Sequence, residues 1–266
     1  MKINQENVDY LKNFEEEVSK RFINKEIKAP VHLYANNEEE VLAISEYLNI
    51  GENTDVFCTW RSHYCALVKN IPREEIMNEI LKGHSISLCF PKYNFYSSGI
   101  VGAHLSWAVG KAYSNKLLKN GRKVVCVLGD MASLSGNFQE AMQYSVWNNL
   151  DIIFVIEDNG KSVCTDTEMC WKVKPEGYNI NNITGLFTSG RQSKTIFSRY
   201  QIEENRFDRF NEKEEYVSFN NEEQNGTRYG KLDKCVRYFQ DLKTIYYKYK
   251  LGINHAGPLS GERVQF

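Results

Sequence analysis

Two polar side chains with metal-binding chemistry follow the two most apolar runs of the sequence. The run at 124–128 ends just before Asp130, and the run at 152–156 is followed by Asn159, 29 residues after Asp130. Asp130 offers a charged oxygen and Asn159 a neutral one, and a bend after Asn159 can turn the backbone carbonyl of Lys161 inward. Mg²⁺ prefers oxygen ligands of this kind, completed by substrate phosphates. Either residue alone would be explained as part of an ordinary turn, but their joint placement favours a magnesium site.

The segment between these residues predicts the unit that would position them. Apolar side chains at 138, 141, 142 and 146 recur at helical spacing. The two flanking runs are short and do not alternate with polar residues, which is typical of strands buried on both faces. A helix joining two such strands makes them parallel neighbours, so Asp130 and Asn159 should lie at one edge of the sheet. Residues 135–137 open the helix, and its free N–H groups would add positive potential for an anion.

A second polar cluster, Trp60-Arg61-Ser62-His63, follows a strand predicted over 55–59. Arg61 at a strand end would suit a phosphate, because the guanidinium fork matches two phosphate oxygens. An ordinary structural salt bridge is the alternative for Arg61. On the residues alone, His32 is better explained as a surface histidine in a polar loop that leads into a helix predicted over 39–48.

The remaining amino-terminal part is predicted to be mainly helical. Helices are predicted over 6–24, from Pro72 onward and from Leu105 to Leu117, whereas 85–98 is predicted to be a long loop. The sequence Gly99-Ile100-Val101-Gly102-Ala103 joins that loop to the last helix. Its two glycines would let a ligand approach closely, although helix–helix packing explains them equally well.

The chain changes character after Trp171. Residues 172–232 are polar and charge-rich, which predicts an irregular arm, and 233–249 are predicted to form a helix. We therefore expect an α/β domain over 1–171 and an arm with a terminal helix over 172–266, a candidate subunit interface.

Composition narrows the class of protein. The formal charge of −1 and the absence of a basic stripe argue against a nucleic-acid binder. No apolar stretch reaches membrane-spanning length and the amino terminus is not a signal peptide, so a cytoplasmic protein is expected. The seven cysteines are scattered without a Cys-x-x-Cys pair, which indicates free thiols in a reducing compartment.

With these motifs in place, residues 10–165 resemble the alpha subunits of thiamine-diphosphate-dependent 2-oxo acid dehydrogenases. The resemblance rests on four motifs in the family's order: His32-Leu33-Tyr34, Trp60-Arg61-Ser62-His63, Gly99 to Ala103, and Gly129-Asp130 followed by Glu157-Asp158-Asn159-Gly160. It implies the thiamine-diphosphate-binding fold, an α/β architecture in which a doubly wound, mostly parallel sheet carries helices on both faces.

The resemblance also implies roles for individual residues. Asp130, Asn159 and the Lys161 carbonyl would hold Mg²⁺. His32 and His63 would be catalytic, near the reacting thiazolium ring and the diphosphate. Thiamine diphosphate itself would be bound by Trp60, Arg61, Gly99, Val101, Gly129, Asp130, Met131, Ala132 and Asn159.

The implied enzyme has two kinds of chain. A beta-type subunit would supply the activating glutamate, the substrate would be a 2-oxo acid, and the assembly would be an α2β2 heterotetramer. Two alternatives remain: the amino-terminal half of a split transketolase-like enzyme, and a non-catalytic assembly subunit. Met131, which stands where the family has its second glycine, favours the assembly subunit.

Overall fold

The computed structural model describes residues 1–163, 165–171, 236–239 and 244–249, and it has an α/β architecture. Within these residues the helices are α1 Gln5–Ile23, α2 Glu38–Tyr47, α3 His63–Val68, α4 Arg73–Leu81, α5 Ala103–Leu118, α6 Asp130–Ser133, α7 Gly136–Trp147 and α8 Thr167–Trp171. The strands are β1 Thr54–Cys58, β2 Cys89–Phe90, β3 Phe95–Ser97, β4 Lys123–Gly129, β5 Ile152–Asp158, β6 Lys161–Ser162, β7 Thr165–Asp166, β8 Val236–Phe239 and β9 Thr244–Lys248.

Seven of these strands form one sheet in the order β2-β3-β1-β4-β5-β9-β8. The five inner strands are parallel, and the edge strands β2 and β8 are antiparallel to their neighbours. The remaining pair, β6 and β7, forms a small antiparallel hairpin. The predicted β4-helix-β5 unit is confirmed, with Gly129 paired to Glu157 at the carboxyl ends of the two strands.

Helices cover both faces of the sheet, which confirms the predicted doubly wound fold. Along β4, Val125 and Val127 point into a core shared with α1–α4, while Val124 and Leu128 point into a core shared with α5 and α7. Because successive strand residues face opposite sides, an uninterrupted apolar run is what a strand between two helical layers requires. The carboxyl ends of the parallel strands are therefore the open edge at which a ligand can bind.

Helix starts set the geometry near this edge. Ser135 caps α7, with its side chain accepting a hydrogen bond from the Phe138 N–H. Gly102 precedes α5 with φ +76°, a left-handed conformation that favours glycine. A Cβ added at Gly102 would lie 3.3 Å from Asn137 Nδ2. The Gly-Ile-Val-Gly loop therefore packs against the first turn of α7.

Two predictions about secondary structure are wrong. The predicted loop 85–98 contains β2 and β3, and β3 pairs with β1 inside the sheet. The helix predicted over 233–249 is replaced by β8 and β9, and β9 pairs in parallel with β5. The polar arm predicted over 172–232 lies outside the described residues, and the division at residue 171 stays a prediction.

The described residues add two further observations. Cys58, Cys65, Cys89, Cys126 and Cys170 are free thiols. None of the described helices has both the length and the apolar character needed to cross a membrane.

Candidate cofactor site at the carboxyl edge of the sheet

The fold brings the predicted site residues from three strands to one edge. Arg61 follows the end of β1, Asp130 follows β4, and Asn159 follows β5. Since β1, β4 and β5 are parallel and adjacent in the sheet, their carboxyl ends meet. The strand β9 ends at the same edge, where Asp158 of β5 pairs with Lys248. The carboxyl end of β9 was not part of the predicted site.

Asp130 is buried at the start of α6, with 3% of its surface exposed. Ser133 Oγ donates a hydrogen bond to the Asp130 carbonyl oxygen over 2.7 Å, which closes this short helix. The position directly after β4 places a carboxylate at the sheet edge. Burial is the main cause of the raised pKa of the Tyr249 hydroxyl, and the negative charge of Asp130 adds to it.

Asn159 is fixed by hydrogen bonds at both ends of its amide. Its Oδ1 accepts from the Lys161 N–H over 2.8 Å, and its Nδ2 donates to the Tyr249 hydroxyl over 3.3 Å. The adjacent turn is closed by the Gly160 N–H, which donates to Asp158 Oδ1 over 2.9 Å. An amide oxygen has two lone pairs, so the bond from Lys161 leaves Oδ1 a second one.

Tyr249 is the residue of this edge that the sequence analysis missed. It is 7% exposed and its N–H donates to the Asp158 carbonyl oxygen over 3.0 Å. Burial raises the pKa of its hydroxyl to about 12; the Arg61 charge lowers it, and the charges of Glu157 and Asp130 raise it. The charged groups that affect the Tyr249 hydroxyl thus belong to β5 and to the segments that follow β1 and β4. Because 233–249 was predicted to be a helix, the sequence did not place Tyr249 at this edge.

Arg61 is buried and points toward the same region. Its Nε donates to the Leu33 carbonyl oxygen over 3.0 Å, and within the described residues no hydrogen bond is found for the two terminal nitrogens of the fork. The guanidinium charge opposes the rise in the pKa of Glu157 and lowers the pKa of Tyr249. A buried guanidinium with donors to spare is the group expected for a phosphate.

The rings of Trp60 and His32 stand side by side, with centroids 5.9 Å apart. Trp60 Nε1 is a buried donor for which no hydrogen-bond partner is found among the described residues. Buried polar groups are normally paired, so an orphaned donor at a cleft is consistent with a bound acceptor. The structure thus brings His32 next to the residues assigned to the diphosphate.

His63 has a different environment from His32. It is fully buried, Nδ1 lies 3.0 Å from a Glu15 carboxylate oxygen, and Nε2 lies 3.0 Å from Ser85 Oγ. Glu15 also accepts from the Tyr34 N–H over 3.2 Å. The catalytic role of His63 stays a prediction, and these contacts favour a role in joining α1, α3 and the turn at Ser85.

The glycine-rich loop, Gly99 to Gly102, joins β3 to α5. Val101 is 43% exposed and Ile100 is 71% exposed, so neither apolar side chain is used by the core. A Cβ added at Gly99 would lie 3.1 Å from Ile86 Cδ1, so a larger residue there would require the Ile86 side chain to shift. The role of the Gly99 and Val101 backbone in cofactor binding stays a prediction.

A buried acid lies below the edge. Glu157 lies near the carboxyl end of β5, two residues before Asn159. It accepts a hydrogen bond from the Tyr247 hydroxyl over 2.7 Å and from the Tyr34 hydroxyl over 3.2 Å. Burial raises the pKa of Glu157 to about 7, while these two hydroxyls and the Arg61 charge oppose the rise. The sequence motif contained Glu157, but nothing local indicated its partners, since Tyr247 is 90 residues away.

The oxygen atoms at this edge fit a hard cation, and its hydrogen-bond donors fit an anionic cofactor. In the described part of the chain, no group of three or more His, Cys, Asp or Glu side chains is arranged around a metal position. A carboxylate, an amide oxygen and a backbone carbonyl, as predicted for Mg²⁺, do not depend on such a group. Gly129, Met131 and Ala132 flank Asp130 along the chain, with Ala132 buried in α6.

Comparison with known proteins identifies the family. The model of the dehydrogenase E1 component family matches residues 6–180, more than half of the chain. The alpha subunit of acetoin:2,6-dichlorophenolindophenol oxidoreductase from Bacillus subtilis is 27% identical over 215 residues, covering 75% of this chain and 62% of that protein. Its counterpart from Cupriavidus necator is 30% identical over 189 residues, covering 65% and 56%.

The alpha subunit of the pyruvate dehydrogenase E1 component from Rickettsia prowazekii is 28% identical over 176 residues, covering 60% of this chain and 53% of that protein. The chain thus spans between 53% and 62% of the length of these three relatives. The family match covers all four motifs that carried the resemblance, from His32 to Asn159. This chain belongs to the dehydrogenase E1 component family, in agreement with its resemblance to the alpha subunits of thiamine-diphosphate-dependent 2-oxo acid dehydrogenases.

Proposed function

We propose that the chain is the thiamine-diphosphate- and Mg²⁺-binding subunit of an enzyme that cleaves a 2-oxo acid and transfers the resulting acyl or aldehyde group. The observation that carries this proposal is the placement of Arg61, Asp130 and Asn159 after the carboxyl ends of the adjacent parallel strands β1, β4 and β5, in a member of the dehydrogenase E1 component family. When bound, thiamine diphosphate supplies the carbon nucleophile and the electron sink for this chemistry.

The residues of this chain would bind and orient the cofactor and its Mg²⁺ ion. Asp130, the free lone pair of Asn159 Oδ1 and the Lys161 carbonyl would hold Mg²⁺. The spare donors of Arg61 and the orphaned Trp60 Nε1–H would meet diphosphate oxygens, which gives each buried donor a partner.

The other residues of the cleft would hold the cofactor from either side. Backbone groups at Gly99 and Val101 would meet its pyrimidine ring, and the exposed Val101 side chain would support the bend between the two rings. His32, whose ring lies beside that of Trp60, is our candidate for proton transfer.

A second, different subunit is part of the proposal. The helix pair α5 and α7 presents an unusual amount of apolar surface: Trp107 is 53% exposed, Trp147 is 90% exposed, and Leu117 and Tyr144 are also exposed. Exposed apolar patches of this kind mark protein interaction sites. Val101 lies two residues before the start of α5. In this proposal a beta-type subunit docks on α5 and α7 and supplies the activating glutamate.

The names of the relatives suggest two substrate classes. Two are named for acetoin and one for pyruvate dehydrogenase. Both acetoin and a 2-oxo acid have a bond next to a carbonyl group that a thiamine enzyme can cleave. The 2-oxo acid is our first candidate and acetoin the second.

The test is to assay the purified chain, alone and with a co-expressed beta-type subunit, on a panel of 2-oxo acids and acetoin with cofactor and Mg²⁺. We expect turnover only in the two-chain preparation, as an α2β2 assembly. Robust turnover by a monomer or homodimer would contradict the two-subunit proposal, whereas turnover of ketose donors by the two-chain preparation would favour the split-transketolase alternative. Calorimetry that detects no cofactor binding to the two-chain assembly would instead support the non-catalytic assembly subunit.

A further inference from the structure

We propose that Tyr249 is a positioning residue that fixes the amide of Asn159 for its role as a cation ligand. This inference rests on the function proposed above, because it takes Asn159 as a ligand. It adds a residue that directly follows β9, whereas the predicted ligands all come from the segment 130–161.

The first step of the argument is that the Asn159 amide would otherwise be free to rotate. Among the described residues its Oδ1 has one hydrogen-bond partner, the Lys161 N–H at 2.8 Å, which lies in the turn after β5. Terminal amide torsions are broad, so one hydrogen bond leaves considerable freedom. The Tyr249 hydroxyl, at 3.3 Å from Nδ2, adds the second contact. Two contacts at opposite ends of a planar amide define its plane and place Oδ1.

The second step is that Tyr249 is itself held rigidly. Its N–H donates to the Asp158 carbonyl oxygen over 3.0 Å, which ties it to the end of β5 one residue before Asn159. Its ring is stacked on that of Tyr247, with centroids 5.8 Å apart and planes at 30°. The residue is 7% exposed. Because backbone pairing, ring stacking and burial fix the Tyr249 side chain, its hydroxyl can hold the Asn159 amide in one orientation.

The third step is that the hydroxyl has no other role among the hydrogen bonds found in the described residues. Tyr247, two residues earlier on the same strand, directs its hydroxyl to Glu157 at 2.7 Å and accepts from Asn37 at 3.0 Å. The Tyr249 hydroxyl contacts Asn159 instead. The two neighbouring tyrosines therefore offer a matched pair of variants, one at the site edge and one in the core.

The consequence is a measurable loss of cation affinity when the hydroxyl is removed. Groups that orient a metal ligand typically contribute about 10–100-fold to metal affinity. Tyr249→Phe keeps the ring and its stacking, so we expect roughly tenfold weaker Mg²⁺ binding in the presence of thiamine diphosphate. Raising the Mg²⁺ concentration should restore full occupancy by the cofactor.

The experiment is calorimetric titration of Mg²⁺ into the full chain with saturating thiamine diphosphate, supplemented by a thermal melt of every variant. The variants are Tyr249→Phe, Tyr247→Phe, Asn159→Ala and the double variant of Tyr249 and Asn159. We expect Tyr249→Phe and Asn159→Ala to weaken Mg²⁺ binding. Tyr247→Phe should lower the melting temperature while leaving Mg²⁺ affinity unchanged.

The double variant separates positioning from general destabilisation. If Tyr249 acts through Asn159, adding Tyr249→Phe to Asn159→Ala should weaken binding no further. Additive effects, or wild-type affinity in Tyr249→Phe alongside weak binding in Asn159→Ala, would overturn the positioning role and leave the metal site intact. Wild-type affinity in Asn159→Ala would refute the proposed metal ligand and, with it, this inference.

Discussion

The free energy of unfolding should depend on pH because His104 titrates, and the substitution His104→Gln should remove that contribution. The residue is buried in the first turn of α5, directly after the glycine-rich loop, and its Nε2 donates to the Val127 carbonyl oxygen of β4 over 3.0 Å. Its other ring nitrogen, Nδ1, is buried without a hydrogen-bond partner among the described residues. Protonation would place a charge and an unpaired N–H there. Burial therefore lowers the pKa of His104 from 6.5 to about 4, although the bond to Val127 opposes the shift.

The sign and size of the effect follow from linkage. The unfolded chain takes up a proton near pH 6.5 and the folded chain only near pH 4, so falling pH favours unfolding between these values. The full difference corresponds to roughly 3 kcal/mol, of which about 2 kcal/mol develops between about pH 7.5 and about pH 5. For a domain of this size that is a fall in melting temperature of roughly 4–8 °C.

The assay is thermal or urea unfolding of the wild type and His104→Gln at several pH values in this range. Glutamine retains a donor for the Val127 carbonyl oxygen and does not titrate, while all other ionisable groups are common to both proteins. We expect the wild type to lose about 2 kcal/mol more stability than the variant on acidification. Parallel pH profiles for the two proteins would refute the reasoning. Because His104 lies in the first turn of α5, loss of its packing should also free the preceding loop, which carries Gly99 and Val101.

Three further predictions concern the site and its supports. Arg61→Lys should weaken thiamine diphosphate binding by about tenfold in calorimetry, because lysine keeps the positive charge but lacks the guanidinium fork. A normal affinity with a slightly lower melting temperature would indicate that Arg61 has only a structural role. Gly102→Ala should destabilise the fold by about 1–2 kcal/mol in urea unfolding because of its φ of +76°, whereas Gly110→Ala, with nothing within 4 Å of the added Cβ, should stabilise α5. Ser85→Ala should lower the unfolding free energy by about 1–3 kcal/mol, since it leaves His63 Nε2 buried without its partner; an unchanged melt would contradict the structural role favoured for His63.

The sequence predicted best where long apolar runs and local motifs agree. The strands β4 and β5 have five or more buried apolar residues each, so their type, order and parallel pairing could be inferred. That pairing placed Asp130 and Asn159 at one edge. The three-residue strand β3 was missed because it is too short to show a period; its place in the sheet is set by pairing with β2 and β1.

The carboxyl-terminal strands show what local patterns cannot supply. Val236, Phe239, Leu242 and Tyr246 recur at spacings of three and four, which is helical spacing. Pairing with β5, about 90 residues earlier, decides the outcome, as tertiary context commonly overrides local preference. The contacts of Tyr249 with Asn159 and of Tyr247 with Glu157 depend on that pairing and were therefore invisible in the sequence.

The central claim is that this edge binds thiamine diphosphate through a divalent cation held by Asp130. The most direct measurement is calorimetric titration of thiamine diphosphate into the full chain with Mg²⁺, with excess chelator, and with Mg²⁺ in Asp130→Ala. We predict binding with Mg²⁺, no measurable binding in chelator, and affinity reduced by at least about tenfold in the variant. Full binding in chelator, or unchanged affinity in Asp130→Ala, would contradict the claim.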